Sequence, residues 1–203
     1  MGGKRAYLGG NIGVPPLKFL DALNKNDIVV LELSSFQLQD LEQSPHIAVV
    51  LPVSEDHLDH HASRAEYADA KKNILKFQKK DDIAIVCEDF DGADEYMKLA
   101  HGALFTISAQ KKVKRGGYVK NGAVLLRDGE KETALVKDMK EARLIGAHNG
   151  INIIAAALAT HALGVPIEVA KKVAREFRGL PHRLEFAGEY KGVRYFNDSA
   201  STN

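Results

Sequence analysis

Short, unbroken apolar runs alternate with segments of helical period along the first half of the chain. Ile28 to Leu33, Ile47 to Leu51 and Ile83 to Cys87 are such runs, broken only by Glu32. Continuous rather than alternating hydrophobicity predicts strands covered on both faces, as in a parallel sheet. Between them, Pro15 to Leu23 opens with prolines that suit a first helical turn. Ser63 and Glu66 stand at capping-box spacing, and Tyr67, Ala70, Ile74 and Phe77 continue one helical face. A helix over Asp91 to Ala100 and a strand over Leu104 to Ile107 complete a βαβ alternation.

The texture changes between residues 109 and 145. Gly116-Gly117, Asn121-Gly122 and Asp128-Gly129 separate short segments around Tyr118, Val124 to Leu126 and Ala134 to Val136. Turn pairs at this spacing predict antiparallel hairpins. Helices are predicted over Ile151 to Leu163 and Ile167 to Phe177, broken at Gly164-Val165-Pro166. Two β-like segments, Leu184 to Tyr190 and Val193 to Phe196, follow Gly179-Leu180-Pro181, a candidate boundary. The expected fold is α/β: a mostly parallel sheet flanked by helices, with a small antiparallel β-subsheet. The expected division is residues 1–179 and 180–203, the latter too short to be a domain of its own.

Composition narrows the function classes. The 203 residues carry 28 Lys and Arg against 27 Asp and Glu, a net charge of +1. That balance argues against a general nucleic-acid or membrane-surface binder. A single cysteine, Cys87, excludes an internal disulfide and fits a reducing cytoplasm. Its apolar neighbours make it a buried structural thiol rather than a nucleophile. The start has no apolar segment of signal-peptide type, and the stretch Ile151 to Leu163 is too short to span a bilayer.

Several clusters could carry chemistry. Ser54 to His61 follows a predicted strand and holds Glu55, Asp56, His57, Asp59, His60 and His61. Open α/β sheets place ligands at this end of a strand. The cluster could bind a divalent ion or move protons, or be only a solvated loop. Glu32 interrupts an apolar strand; it either serves a site or marks a turn out of the core, with Ser34 and Ser35 capping the backbone. Gly9 to Gly13 is a glycine-rich turn ahead of a helix, but no stretch of the chain matches the G-x-x-x-x-G-K-[ST] phosphate loop. His148, Asn149 and Asn152 open a helix, with Asn149 a suitable N-cap. Lys71 and Lys72 read by themselves as an exposed helical face. His46, His101 and His161 stand alone and read as structural.

In order, the chain carries Gly-Gly-Asn-Ile-Gly, Leu-Glu-Leu-Ser-Ser-Phe-Gln-Leu, Asp-His-Leu-Asp-His-His, Tyr67-x-x-x-Lys71, Ala-His-Asn-x-x-Asn, Gly-Leu-Pro-His-Arg and Asn-Asp-Ser. This series resembles the Mur ligases of peptidoglycan synthesis over essentially the whole chain. The resemblance implies most of a central ATPase-type domain, residues 1–179, and the first strands of a C-terminal ligase domain, residues 180–203. It implies ATP and Mg²⁺ as cofactors, with UDP-N-acetylmuramoyl-L-alanine and D-glutamate as substrates of the complete enzyme.

By the same resemblance, Asn11 contacts the muramoyl substrate and His182 is a further, weaker substrate candidate. Glu32 and His57 are magnesium ligands. Lys71 matches a carbamylated lysine beside the metal, and with His57 it is the catalytic candidate. Asn149 and Asn152 match adenine-side asparagines. Arg183 and Asp198 match residues on the ATP side of the hinge to the third domain. Carbamylation would turn Lys71 from a repelling cation into an anionic oxygen donor.

The chain departs from the family pattern in three ways. No phosphate loop precedes Gly9, Ala200 stands where the family often has a lysine, and the chain stops at Asn203. The expectations are that these residues alone do not ligate and that exposed strand edges promote self-association. Two other function classes fit less of the chain: a metal-dependent hydrolase using the Asp56 to His61 cluster, and a non-catalytic, degenerate ligase module.

Overall fold

The computed structural model describes residues 3–53 and 63–200. The chain forms two compact units, Met1–Phe105 and Thr106–Asn203.

In the first unit, β1 (Ala6–Gly10) and β2 (Ile28–Glu32) pair in parallel. So do β3 (Ile47–Val50) and β4 (Ile83–Cys87). Helix α1 (Ser35–Gln39) follows β2; Ser34 and Gln37 form a full capping box at its start. Helix α2 (Arg64–Lys76) begins at Ser63, whose hydroxyl accepts from the Glu66 amide, as the spacing predicted. Helix α3 (Ala93–Lys98) precedes β5 (Ala103–Ser108), which runs across the division between the units. Ala48 and Val50 of β3, Ala84 and Val86 of β4, Leu75 of α2 and Tyr96 of α3 make one buried cluster. Ile85 and Cys87, on the alternate positions of β4, are also fully buried. That two-sided burial explains why β4 is apolar throughout.

In the second unit, residues Thr106–Ser108 of β5 pair in parallel with β6 (Arg115–Lys120). Strands β7 (Ala123–Asp128) and β8 (Lys131–Val136) continue it antiparallel, which is the predicted hairpin region. Helix α4 (Asn149–Ala162) buries Ile151, Ile153, Ile154, Ala155, Ala157 and Leu158. Helix α5 (Ile167–Glu176) follows, and β9 (Glu185–Tyr190) with β10 (Val193–Asn197) closes as a hairpin. Among the described residues, no helix is long and apolar enough to cross a membrane.

The α/β class and the antiparallel subsheet match the sequence reading, with local differences. Pro15 to Leu23 is not one helix but two 3-10 turns, Pro16–Lys18 and Leu20–Ala22. Neither turn has a side-chain cap, and the segment is too short to offset helix nucleation. Strand β1 lies in a stretch whose glycines read as a turn; its parallel pairing with β2 outweighs that local preference. Helix α1 lies where a turn out of the core was one of the readings of Glu32, and the hydroxyl capping of that reading is present at Ser34.

Candidate functional site

In the first unit, β1 and β2 bring Asn11 and Glu32 together. Gly10 is in register with Glu32, and the Asn11 amide N–H donates to the Glu32 carbonyl at 2.7 Å. Gly10 has φ +103° and lies so close to that carbonyl that a Cβ would collide with it, so only glycine closes this turn. The Asn11 side chain then donates through Nδ2 to Glu32 Oε1 at 3.2 Å. Among the described residues one amide holds this exposed strand-end carboxylate, which leaves oxygen lone pairs for a hard cation. Among the described residues, no group of three His, Cys, Asp or Glu side chains could hold a metal ion. A magnesium ion fits Glu32 only if water and substrate oxygens supply most of its shell, which is the usual pattern for that ion. His57 and the rest of the Asp56 to His61 cluster lie outside the described residues.

The adjacent lysines of α2 are separated by their partners. Lys72 donates to Glu95 at 2.6 Å and to Asp69 at 2.9 Å. The hydrogen bond to Glu95, then that to Asp69, raises its ammonium above the ordinary lysine range. Two carboxylates so placed favour the charged form of Lys72. The Lys71 ammonium instead stands 4.6 Å from the centre of the Tyr67 ring.

In the second unit, the exposed stripe of α4 carries the site. Asn149, Asn152, Ala156 and Thr160 follow one another at helical spacing on a mostly apolar helix, and all four line a cavity of about 660 Å³. Arg183 and Asp198 line the same cavity, with Phe177 and Phe186 among its apolar walls. The fold thus brings four of the sequence candidates, Asn149, Asn152, Arg183 and Asp198, to one place. Asp198 is positioned by the Leu184 amide, which donates to its Oδ1 at 3.1 Å. The cavity has apolar walls, two carboxamides, guanidinium groups and one carboxylate. It suits a flat base joined to a sugar and an anion.

Asn149 does not cap α4 as the sequence suggested. His148 is the N-cap residue, without a side-chain cap bond, and Asn149 is the first helical residue. Its Nδ2 turns back to donate to the Ile145 carbonyl at 2.7 Å, which takes the side chain out of capping. His182 is tied into the hairpin: its backbone N–H donates to Glu185, and Asn197 Nδ2 donates to its Nδ1 at 2.8 Å. The sequence reading did not select Arg143, Arg178 or Ile145 for the cavity. Arg178 could have been found beside Gly179-Leu180-Pro181; Arg143 and Ile145 lie in irregular chain with no periodic signal.

The Mur ligase middle domain family matches residues 8–160. The chain is 39% identical over 201 residues to the UDP-N-acetylmuramoylalanine--D-glutamate ligase of Acetivibrio thermocellus, covering 99% of this chain and 43% of that protein. It is 40% identical over 205 residues to the ligase of the same name from Koribacter versatilis, covering 100% of this chain and 45% of that one. The chain thus spans less than half the length of these curated relatives. Among solved structures, MurF from Acinetobacter baumannii superposes with TM-score 0.66 at 20% identity, over 90% of this chain and 41% of that one. MurF ligase from Thermotoga maritima in complex with ADP gives 0.63 at 21%, over 97% and 47%. These two structures establish the shared fold, and the sequence match establishes kinship: the chain belongs to the Mur ligase family, through its middle domain.

Proposed function

We propose that this chain supplies the nucleotide-facing part of an ATP-dependent ligase that joins D-glutamate to UDP-N-acetylmuramoyl-L-alanine in the cytoplasm. The observation that carries the reading is the convergence of Asn149, Asn152, Arg183 and Asp198 on one cavity. The name borne by the relatives supports the choice of substrates. Residues 1–179 then belong to the central domain, and residues 180–203 open the C-terminal one.

In such a reaction ATP phosphorylates a carboxylate, and the amine of the amino acid displaces phosphate to leave an amide. Phosphoryl transfer of this kind depends on positioning and charge neutralisation. The amides of Asn149 and Asn152 lie where a base would enter, and the Arg183 guanidinium supplies positive charge for a phosphate. The second oxygen of Asp198 remains to accept from sugar hydroxyls. In the first unit, Asn11 orients Glu32 and offers its carbonyl oxygen to the muramoyl substrate. His182 is assigned to the substrate side through the backbone turn that it anchors. Glu32, His57 and a carbamylated Lys71 are the proposed magnesium holders. That ion, when bound, would neutralise phosphate charge.

Calorimetric titration with ADP tests the assignment. Wild type should bind, and Asn152→Ala should weaken binding roughly tenfold, about 1.4 kcal/mol. Equal affinities for the two proteins, or no binding to wild type, would remove the basis for the reading. Intact-mass measurement in bicarbonate tests Lys71: a carbamate-sized gain should vanish in Lys71→Ala and persist in Lys72→Ala. The exposed apolar side chains of Leu8, Val29, Val30 and Leu31 support self-association of this chain. Sedimentation as a monomer at high concentration would contradict it.

A further inference from the structure

Three hydrogen bonds at the start of α4 form a directed chain whose sense is set by a group that can only accept. The Ile145 carbonyl has no proton, so the Asn149 nitrogen, at 2.7 Å, must face it. The same Nδ2 lies 3.1 Å from His148 Nε2. Its two hydrogens are then used by Ile145 and by His148, and the ring nitrogen must offer a lone pair. Asn149 Oδ1, now fixed, accepts from Asn152 Nδ2 at 3.0 Å. Asn152 is left with its Oδ1 and one N–H on the cavity wall. The imidazole is itself held against the loop: a Cβ on Gly146 would collide with the ring.

We propose that His148 is a positioning residue for base recognition: through its Nε2 lone pair and Asn149, it holds the Asn152 amide in the one orientation that pairs with the edge of an adenine. This rests on the nucleotide reading of the cavity. An amide oxygen beside an amide N–H complements an exocyclic amine beside a ring nitrogen, the pattern adenine presents. Guanine presents a carbonyl in place of the amine and meets oxygen with oxygen. A ring N–H at Nε2 would face the Asn149 amide donor to donor. That would favour turning the Asn149 carboxamide over, at the expense of its bond to Ile145, and would release Asn152. The structure therefore requires the tautomer with its proton on Nδ1.

Two measurements on the intact 203-residue chain test this. Long-range ¹H–¹⁵N correlation of the labelled imidazole should show His148 Nε2 as the unprotonated nitrogen; a protonated Nε2 overturns the proposal whatever the ligand does. Binding of ADP and GDP is then compared in wild type, His148→Gln and His148→Lys. Glutamine keeps an acceptor and should keep the preference for ADP. Lysine only donates and should lower the ADP/GDP affinity ratio about tenfold, the loss of one well-placed hydrogen bond. An unchanged ratio in His148→Lys overturns the role of His148 while leaving the nucleotide reading intact. A wild type that binds neither overturns the nucleotide reading and this role with it, and one that binds ADP and GDP alike overturns this role alone. Should the lysine variant fail to fold, the tautomer measurement still decides.

Discussion

Strands β2 and β4 are written in nearly the same alphabet, Ile-Val-Val-Leu-Glu against Ile-Ala-Ile-Val-Cys, yet lie in opposite surroundings. In β4, Ile85 and Val86 are 0% exposed, with Leu75 and Tyr96 packed into the cluster on the Val86 face. In β2, Val30 is 51% exposed and its neighbours Val29 and Leu31 are also open. An apolar run therefore reports that a segment will extend and pair. Whether its faces are covered depends on which elements press on them. The difference also resolves the oddity of Glu32. A charge at the end of a covered strand would cost heavily, but β2 ends in the open, where the carboxylate stays solvated and held by Asn11.

The largest effect should come from the covered side. Leu75→Ala, a cavity beneath β4, should cost about 2–5 kcal/mol in urea unfolding, whereas Val30→Ala should cost less than about 1 kcal/mol. Equal losses would break the comparison. Next comes the Tyr96 phenol, which donates to the Ala68 carbonyl at 3.1 Å and which burial pushes up to about 12. The folded state then holds this proton more tightly than the unfolded chain. Its contribution is complete below pH 10 and is lost as the pH rises toward 12. In alkaline melts Tyr96→Phe should lose less stability over that range than wild type does; parallel curves would show that Tyr96 is not the buried group described.

A smaller change is expected from Asn11→Ala, which removes a solvent-exposed hydrogen bond. It should lower stability by about 0.5 kcal/mol, with β1 and β2 still paired in hydrogen exchange. The smallest belongs to Asp82. The Lys79 backbone N–H and then His46 hold its carboxyl below the ordinary value of 3.8. That contribution is present above pH 4 and fades as the pH falls below it. Asp82→Asn should make the acid limb of the stability curve slightly shallower.

Much of the first unit was legible because its covered strands are apolar on both faces and its long helix carries a capping hydroxyl at Ser63. The division into 3-10 turns before β2 was not, since Pro15 and Pro16 signal a helical start without saying how far it runs. In the second unit, the turn pairs announced the hairpins, and the polar residues of α4 announced its exposed stripe. Asn149 and Asn152 could be read as a pair at helical spacing. Their junction with Arg183 and Asp198 was implied by the family resemblance and not by spacing, because thirty or more residues of helix and turn separate them in the chain. The hydrogen-bond direction through His148 was also beyond the sequence: it depends on the Ile145 carbonyl, a backbone atom whose position no side-chain pattern encodes.

The central claim is that the cavity beside α4 receives an adenine nucleotide. Its most direct test is titration of ADP while following the side-chain amide resonances of Asn149 and Asn152. The account predicts saturable shifts of the Asn152 amide with ADP that ATP, carrying the same base, reproduces. ADP that binds while leaving both amides unmoved would contradict it.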